Sequence, residues 1–142
     1  MSYRLCTVFL LLLLISTKAA GQDIAVKSFK KLPNDLDARV NHPVKDQNGD
    51  KSALIKVVTS QQGFAWEGGM LGIVKTQRKT GEVWVYVPHG ARKLTIKHDD
   101  LGVLRNYIYP VSIEKATVYE MQLVTGNGGD DGSVPSVWLL LN

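Results

Sequence analysis

Apolar and polar positions alternate with a period of two along most of this chain, and turn-forming residues break the alternation about every ten residues, as in an all-β domain. The clearest unit spans residues 81–98. Val83-Trp84-Val85-Tyr86-Val87 is a continuous apolar run, suited to a strand covered on both faces. Pro88-His89-Gly90-Ala91 follows as a turn, and then Leu94 and Ile96 alternate with Lys93, Thr95 and Lys97 as in a strand with one wet face. Gln22 to Leu32 alternates less regularly and predicts an edge strand anchored by Ile24, Val26 and Phe29, with Lys27, Lys30 and Lys31 in water.

Residues 33–39 predict one helical turn capped by Asn34 and ended at His42-Pro43. Asn48-Gly49 predicts a hairpin into the strand Ala53 to Val58, because both residues tolerate positive φ. Phe64 and Trp66 share a face of the next strand, and Met70 to Thr76 is expected to pair with Glu82 to Val87 through a Lys79-Thr80-Gly81 turn. Beyond the Asp99 to Gly102 turn come Tyr107 to Pro110 and a well-alternating strand, Thr117 to Val124. Seven or eight strands with short connections predict an antiparallel β-sandwich over residues 22–125. A Gly-rich linker at 126–133 then leads to 134–142, which is either a returning terminal strand or the stub of a second module.

The amino terminus changes the setting. Arg4, an apolar run from Val8 to Ile15 and small residues at Ala19, Ala20 and Gly21 predict a secretory signal peptide over residues 1–21, and hence an exported, periplasmic or cell-surface protein. Eight apolar residues fall far short of the roughly 20 needed to span a bilayer, so no transmembrane span is expected. The only cysteine, Cys6, leaves with the signal, and neither disulfides nor thiolate metal sites follow. Loss of Arg4 and Lys18 brings the formal charge from +4 to +2, and the remaining basic residues are dispersed; a nucleic-acid partner is not expected.

Candidate chemistry is sparse. Asp46, Asn48 and Asp50 have the first spacings of a calcium loop, but Lys51 stands where glycine is required and Val57 where the closing glutamate belongs, which favours a hairpin turn. Asp130 and Asp131 sit in the glycine run and read as linker. His42, His89 and His98 lack convergent spacing, so no metal site and no cofactor is expected. His98-Asp99 has no strained nucleophile turn to serve, and nothing marks a cleft between Glu114 and Glu120, so the chain reads as a non-enzyme. Aromatics carry the binding hypothesis. Trp84 and Tyr86 share one face, Phe64 and Trp66 another, and such faces either form a platform for sugar rings or pack under a covering segment such as Leu101 to Pro110; burial is favoured, since aromatics dominate β-sandwich cores.

At Pro88-His89-Gly90-Ala91 the chain resembles a PEGA domain, a small immunoglobulin-like β-sandwich named after its Pro-Glu-Gly-Ala turn; three of the four positions match, and His89 replaces the glutamate. The valines before the proline, the Lys-Leu-Thr-Ile-Lys strand after the alanine and Gly102 fit too. The wider run, with Ala53 to Val57, Leu101 to Arg105 and Ile113 to Glu120, is similar to the amino-terminal region of PEGA-containing exported bacterial proteins. That resemblance implies a cell-envelope module that binds an envelope glycan or protein or acts as a spacer, with no catalytic residues to carry over. In some such proteins a formylglycine-generating sulfatase-modifying-type domain follows, so the second expectation is an accessory or detached front part of such an enzyme, stand-alone or shortened. Self-association by strand addition at an open sheet edge is a third.

Overall fold

The computed structural model describes residues 23–126. Eight strands run through them: β1 (Ile24–Leu32), β2 (Ala53–Val58), β3 (Phe64–Glu67), β4 (Lys75–Lys79), β5 (Glu82–Val87), β6 (Lys93–His98), β7 (Gly102–Ile108) and β8 (Val118–Thr125). Two sheets result, one ordered β1-β8-β2-β5-β4 and one ordered β3-β6-β7. Among the described residues, helix is confined to two short turns, Asp37–Asn41 and Gly69–Leu71. The described residues are all-β, as the alternation predicts. The segment predicted as a signal peptide, residues 134–142 and all of the Gly-rich run beyond Gly126 lie outside the described residues.

The apolar run of β5 is covered on both faces, as predicted, and splits between two clusters. Val83, Val85 and Val87 join Ile55, Val57, Leu94, Ile96, Tyr119 and Met121 in the core between the sheets. Trp84 and Tyr86 point the other way and pack with Leu54, Ala38 and Val118. The irregular alternation of β1 has a physical cause: a bulge between Val26 and Ser28 absorbs one residue, and Phe29 returns to the core face.

Three expectations need correction. The strand predicted at Met70 to Thr76 begins only at Lys75, because Gly69 and Gly72 both take positive φ and curl the chain into a turn. Pairing is not wholly antiparallel: β8 lies parallel to β2. Short connections force antiparallel order only within a sheet, and the segment between β7 and β8 crosses from one sheet to the other, bringing β8 in alongside β2. The helical turn at 37–41 is not capped by Asn34; Asp35 Oδ1 accepts from the Asp37 N–H at 2.9 Å instead. The 46–50 hairpin is genuine but small, a single Lys45–Lys51 bridge closed by Asp46 Oδ1, which accepts from the N–H groups of Asn48 and Asp50.

Two core tyrosines differ in one respect that a stability measurement reads directly. The Tyr119 hydroxyl donates to the Ser112 carbonyl at 3.0 Å and accepts from the Glu114 N–H at 2.9 Å, fixing the β7–β8 connection. Tyr109, tilted against Phe29 with ring centroids 5.4 Å apart, has a buried hydroxyl with no hydrogen-bond partner among the described residues, and burial pushes its pKa far above the usual tyrosine value. Tyr119→Phe is expected to lower stability by about 1–3 kcal/mol, whereas Tyr109→Phe should raise it by about 1 kcal/mol. Urea midpoints of the two variants against wild type check both signs.

Candidate functional site

The two sheets are tied together along one side and part along the other. On the tied side the Asp23 N–H donates to the Leu101 carbonyl at 3.1 Å, and Phe29 of β1 meets Tyr107 of β7 with ring centroids 6.3 Å apart. On the opposite side the edge strands β3 and β4 leave a cleft of about 270 Å³, lined by Phe64, Trp66, Thr76, Arg78 and Val83 among others. Register explains who faces it. Thr76 pairs with Val85 and Arg78 with Val83, and those valines are core-facing, so Thr76 and Arg78 share the inner face while Lys75, Gln77 and Lys79 share the outer one. From the other sheet, Phe64 and Trp66 are half-buried against the core, with ring centroids 5.6 Å apart at 43°.

The cleft wall is braced by His98. Its Nδ1 accepts from the Asp100 and Leu101 N–H groups, at 3.0 and 3.2 Å, so the ring proton sits on Nε2, which donates to the Gln62 carbonyl at 2.6 Å. Its ring lies edge-on to Phe64 at 5.1 Å. Gly63, at φ +91°, lets the chain turn beneath this ring and enter β3. A second hollow of about 560 Å³, rimmed by Thr59, Gln61, Gln62 and Lys79, shares Arg78 and Val83 with the cleft. The two therefore adjoin at Arg78.

Trp84 and Tyr86 are elsewhere. They lie on the outer face of the five-stranded sheet and are 6% and 1% exposed, so they offer no platform. Residues 33–44 cover them, not Leu101 to Pro110, most of which is β7. The Tyr86 hydroxyl donates to the His42 carbonyl at 2.8 Å, the His42 ring meets Trp84 edge-on at 5.4 Å, and the indole N–H donates to Glu82 at 2.8 Å. Of the aromatic residues expected to bind, the structure keeps Phe64 and Trp66 at a surface and commits Trp84 and Tyr86 to packing.

The Pro88-His89-Gly90-Ala91 turn joins the two sheets. Gly90 takes φ +81°, its N–H donates to the Ile113 carbonyl at 2.9 Å, and Ala91 enters the core. His89 is brought to Asp46 and Asp50, with one potential ligand atom from each lying within 4.8 Å of the others. Their separation in sequence hid this; the pairing of Ala53 with Val87 puts the loop before β2 and the loop after β5 at the same end. Lys115 Nζ lies 3.3 Å from Asp50 Oδ1, and His89 Nε2 lies 3.4 Å from Asp50 Oδ2. Glu114 and Glu120 do not pair with each other; Lys31 holds the first at 2.7 Å and Lys30 the second at 3.7 Å.

Arg78 and Thr76 were not visible as site residues, since β4 contains no apolar residue to mark it as a strand. No family model, curated protein or solved structure matches this chain.

Proposed function

We propose that this chain is a non-enzymatic, exported cell-envelope module of the PEGA type that binds a glycan along the cleft between β3 and β4. The observation that carries the reading is the meeting of two half-buried aromatic rings, Phe64 and Trp66, with the polar groups of Thr76 and Arg78 in a shallow cleft. A sugar ring presents apolar C–H faces and polar rims, and such a cleft offers partners for both. The adjoining hollow, with Thr59, Gln61 and Gln62, extends the polar rim beyond the cleft.

The strand order supports the immunoglobulin-like assignment. β2-β5-β4 and β3-β6-β7 stand where strands B-E-D and C-F-G stand in an immunoglobulin sandwich, and the Pro-x-Gly-Ala turn then joins E to F. β8 and β1 extend the first sheet beyond β2. No helix among the described residues is long and apolar enough to cross a membrane.

A glycan array probed with the purified protein tests the reading. Wild type should bind, and Trp66→Ala should lose affinity by tenfold or more, on the scale of about 2 kcal/mol for truncating a central aromatic anchor. Because Trp66 also packs on the core, Trp66→Met serves as a second variant that keeps apolar bulk and removes the ring. Failure of wild type to bind any glycan, or full binding by a folded Trp66→Met, would overturn the assignment.

A further inference from the structure

We propose that the saccharide recognised in the β3–β4 cleft carries carboxylates, and that Arg78 reads them. The inference rests on the glycan reading of the cleft and narrows its ligand to acidic oligosaccharides, such as those built of uronic acids.

Arg78 is an exposed cation with a defined direction. Its pairing with Val83 turns it to the inner face, across the cleft from Phe64 and Trp66. It forms no ion pair among the described residues. The carboxylates of the flanking strands are engaged elsewhere. Glu67, at the end of β3, holds Lys97 at 2.6 Å. Glu82, the one acidic residue lining either hollow, sits on the outer face and accepts from the Trp84 indole.

The other β4 cations do not share this task. Lys79 lies on the outer face with its ammonium 4.5 Å from the centre of the Trp84 ring, and Lys75 is on that same face opposite Tyr86. A guanidinium presents a planar fork that matches a carboxylate through two parallel hydrogen bonds, which an ammonium cannot do. Thr76, two residues earlier on the same face, adds a hydroxyl to the same wall. Aromatic rings for the pyranose, a fork for its carboxylate and a hydroxyl for its rim make a set suited to a uronate.

A basic inward-pointing residue on an edge strand also has a bland use, which is to discourage pairing with the edge of a second copy. The two roles separate in experiment, because edge protection acts on self-association and carboxylate reading acts on ligand choice.

The test is calorimetric titration of the purified protein with oligogalacturonate, with the same oligosaccharide as its neutral methyl ester, and with a sulfated neutral oligosaccharide. Each is run on wild type, Arg78→Gln and Arg78→Lys, with sedimentation of all three proteins alongside. Wild type should prefer the acid over the ester by about tenfold or more, as a charge-assisted pair implies, and the preference should shrink with added salt. Arg78→Gln should erase the preference, bringing acid and ester to the same affinity, and Arg78→Lys should restore only part of it. Equal binding of acid and ester by wild type would overturn the carboxylate assignment and leave the glycan reading standing. So would sulfate binding as tight as carboxylate binding, or an Arg78→Gln protein that merely self-associates with its preference intact. If no saccharide binds at all, the glycan reading falls and this inference with it.

Discussion

Trp84→Ala and Tyr86→Ala should each cost about 3–5 kcal/mol of folding stability, the range for deleting a large buried aromatic, while leaving ligand affinity per folded molecule unchanged. Both side chains are almost wholly buried in the cluster under residues 33–44. Truncating Tyr86 also removes the hydroxyl that holds the His42 carbonyl, so the covering segment loses its anchor at the same time as its contact surface. Trp84 sits beneath two ammonium groups, Lys56 at 4.9 Å and Lys79 at 4.5 Å from the ring centre, and its loss leaves these cations over a cavity. Urea unfolding followed by circular dichroism measures the cost, and titration of the cleft ligand at the known folded fraction measures the affinity. A variant that stayed within about 1 kcal/mol of wild type would mean that the outer cluster is not a packed core. A stable variant that lost ligand would return these aromatics to the binding surface.

The same residues show which parts of the fold the sequence announces. β5 is legible because five apolar residues in a row, rich in valine and aromatics and bounded by Gly81 and Pro88, suit a strand buried on both faces, and β6 is legible from Leu94 and Ile96. β8 is legible from Tyr119, Met121 and Leu123, but its neighbours are not: strand order depends on where a connection crosses between sheets, and alternation carries no record of that. β4 is the instructive failure. Apolar residues at Met70, Leu71, Ile73 and Val74 read as a strand, yet they form a turn and its exit, and the true strand is Lys-Thr-Gln-Arg-Lys. An edge strand whose inner face lines an open cleft has no core to fill, so it needs no apolar residue. For that reason Phe64 and Trp66 were readable as half of the proposed site, while Thr76 and Arg78, which line the cleft with them, were not.

Lys56→Ala should destabilise the protein by about 2–4 kcal/mol, because it strips the shared cation from two partly buried carboxylates. Lys56 Nζ lies 2.5 Å from Asp35 and 2.6 Å from Asp37, with side-chain exposures of 14% for the lysine and 19% for each aspartate. This triad ties β2 to the covering segment and so holds the lid of the Trp84–Tyr86 cluster. The two aspartates would then repel each other with no cation between them, and Asp35→Asn together with Asp37→Asn should recover part of the loss in the Lys56→Ala background. The charges also set a pH window. Hydrogen bonding from Lys56, then from Asn41, holds the Asp37 carboxyl below its ordinary value of 3.8 despite burial. A depressed folded pKa adds stability that is fully present above 3.8 and disappears as pH falls through the lower, folded value. For Lys56 burial acts downward, but the hydrogen bonds of Asp35 and Asp37 outweigh it and raise the ammonium above 10.5, so its contribution is complete below 10.5 and is lost as pH climbs past the folded value. Between those limits the triad's contribution should be flat. Hydrogen exchange at the His42 amide, which donates to the Asp37 carbonyl at 2.8 Å, reports opening of the lid directly. Protection there should fall in acid before the β2–β5 ladder loses its own, and Lys56→Ala should abolish that difference at neutral pH by opening the lid already. Loss of lid and ladder protection at one and the same pH would show that the triad holds nothing the rest of the fold does not.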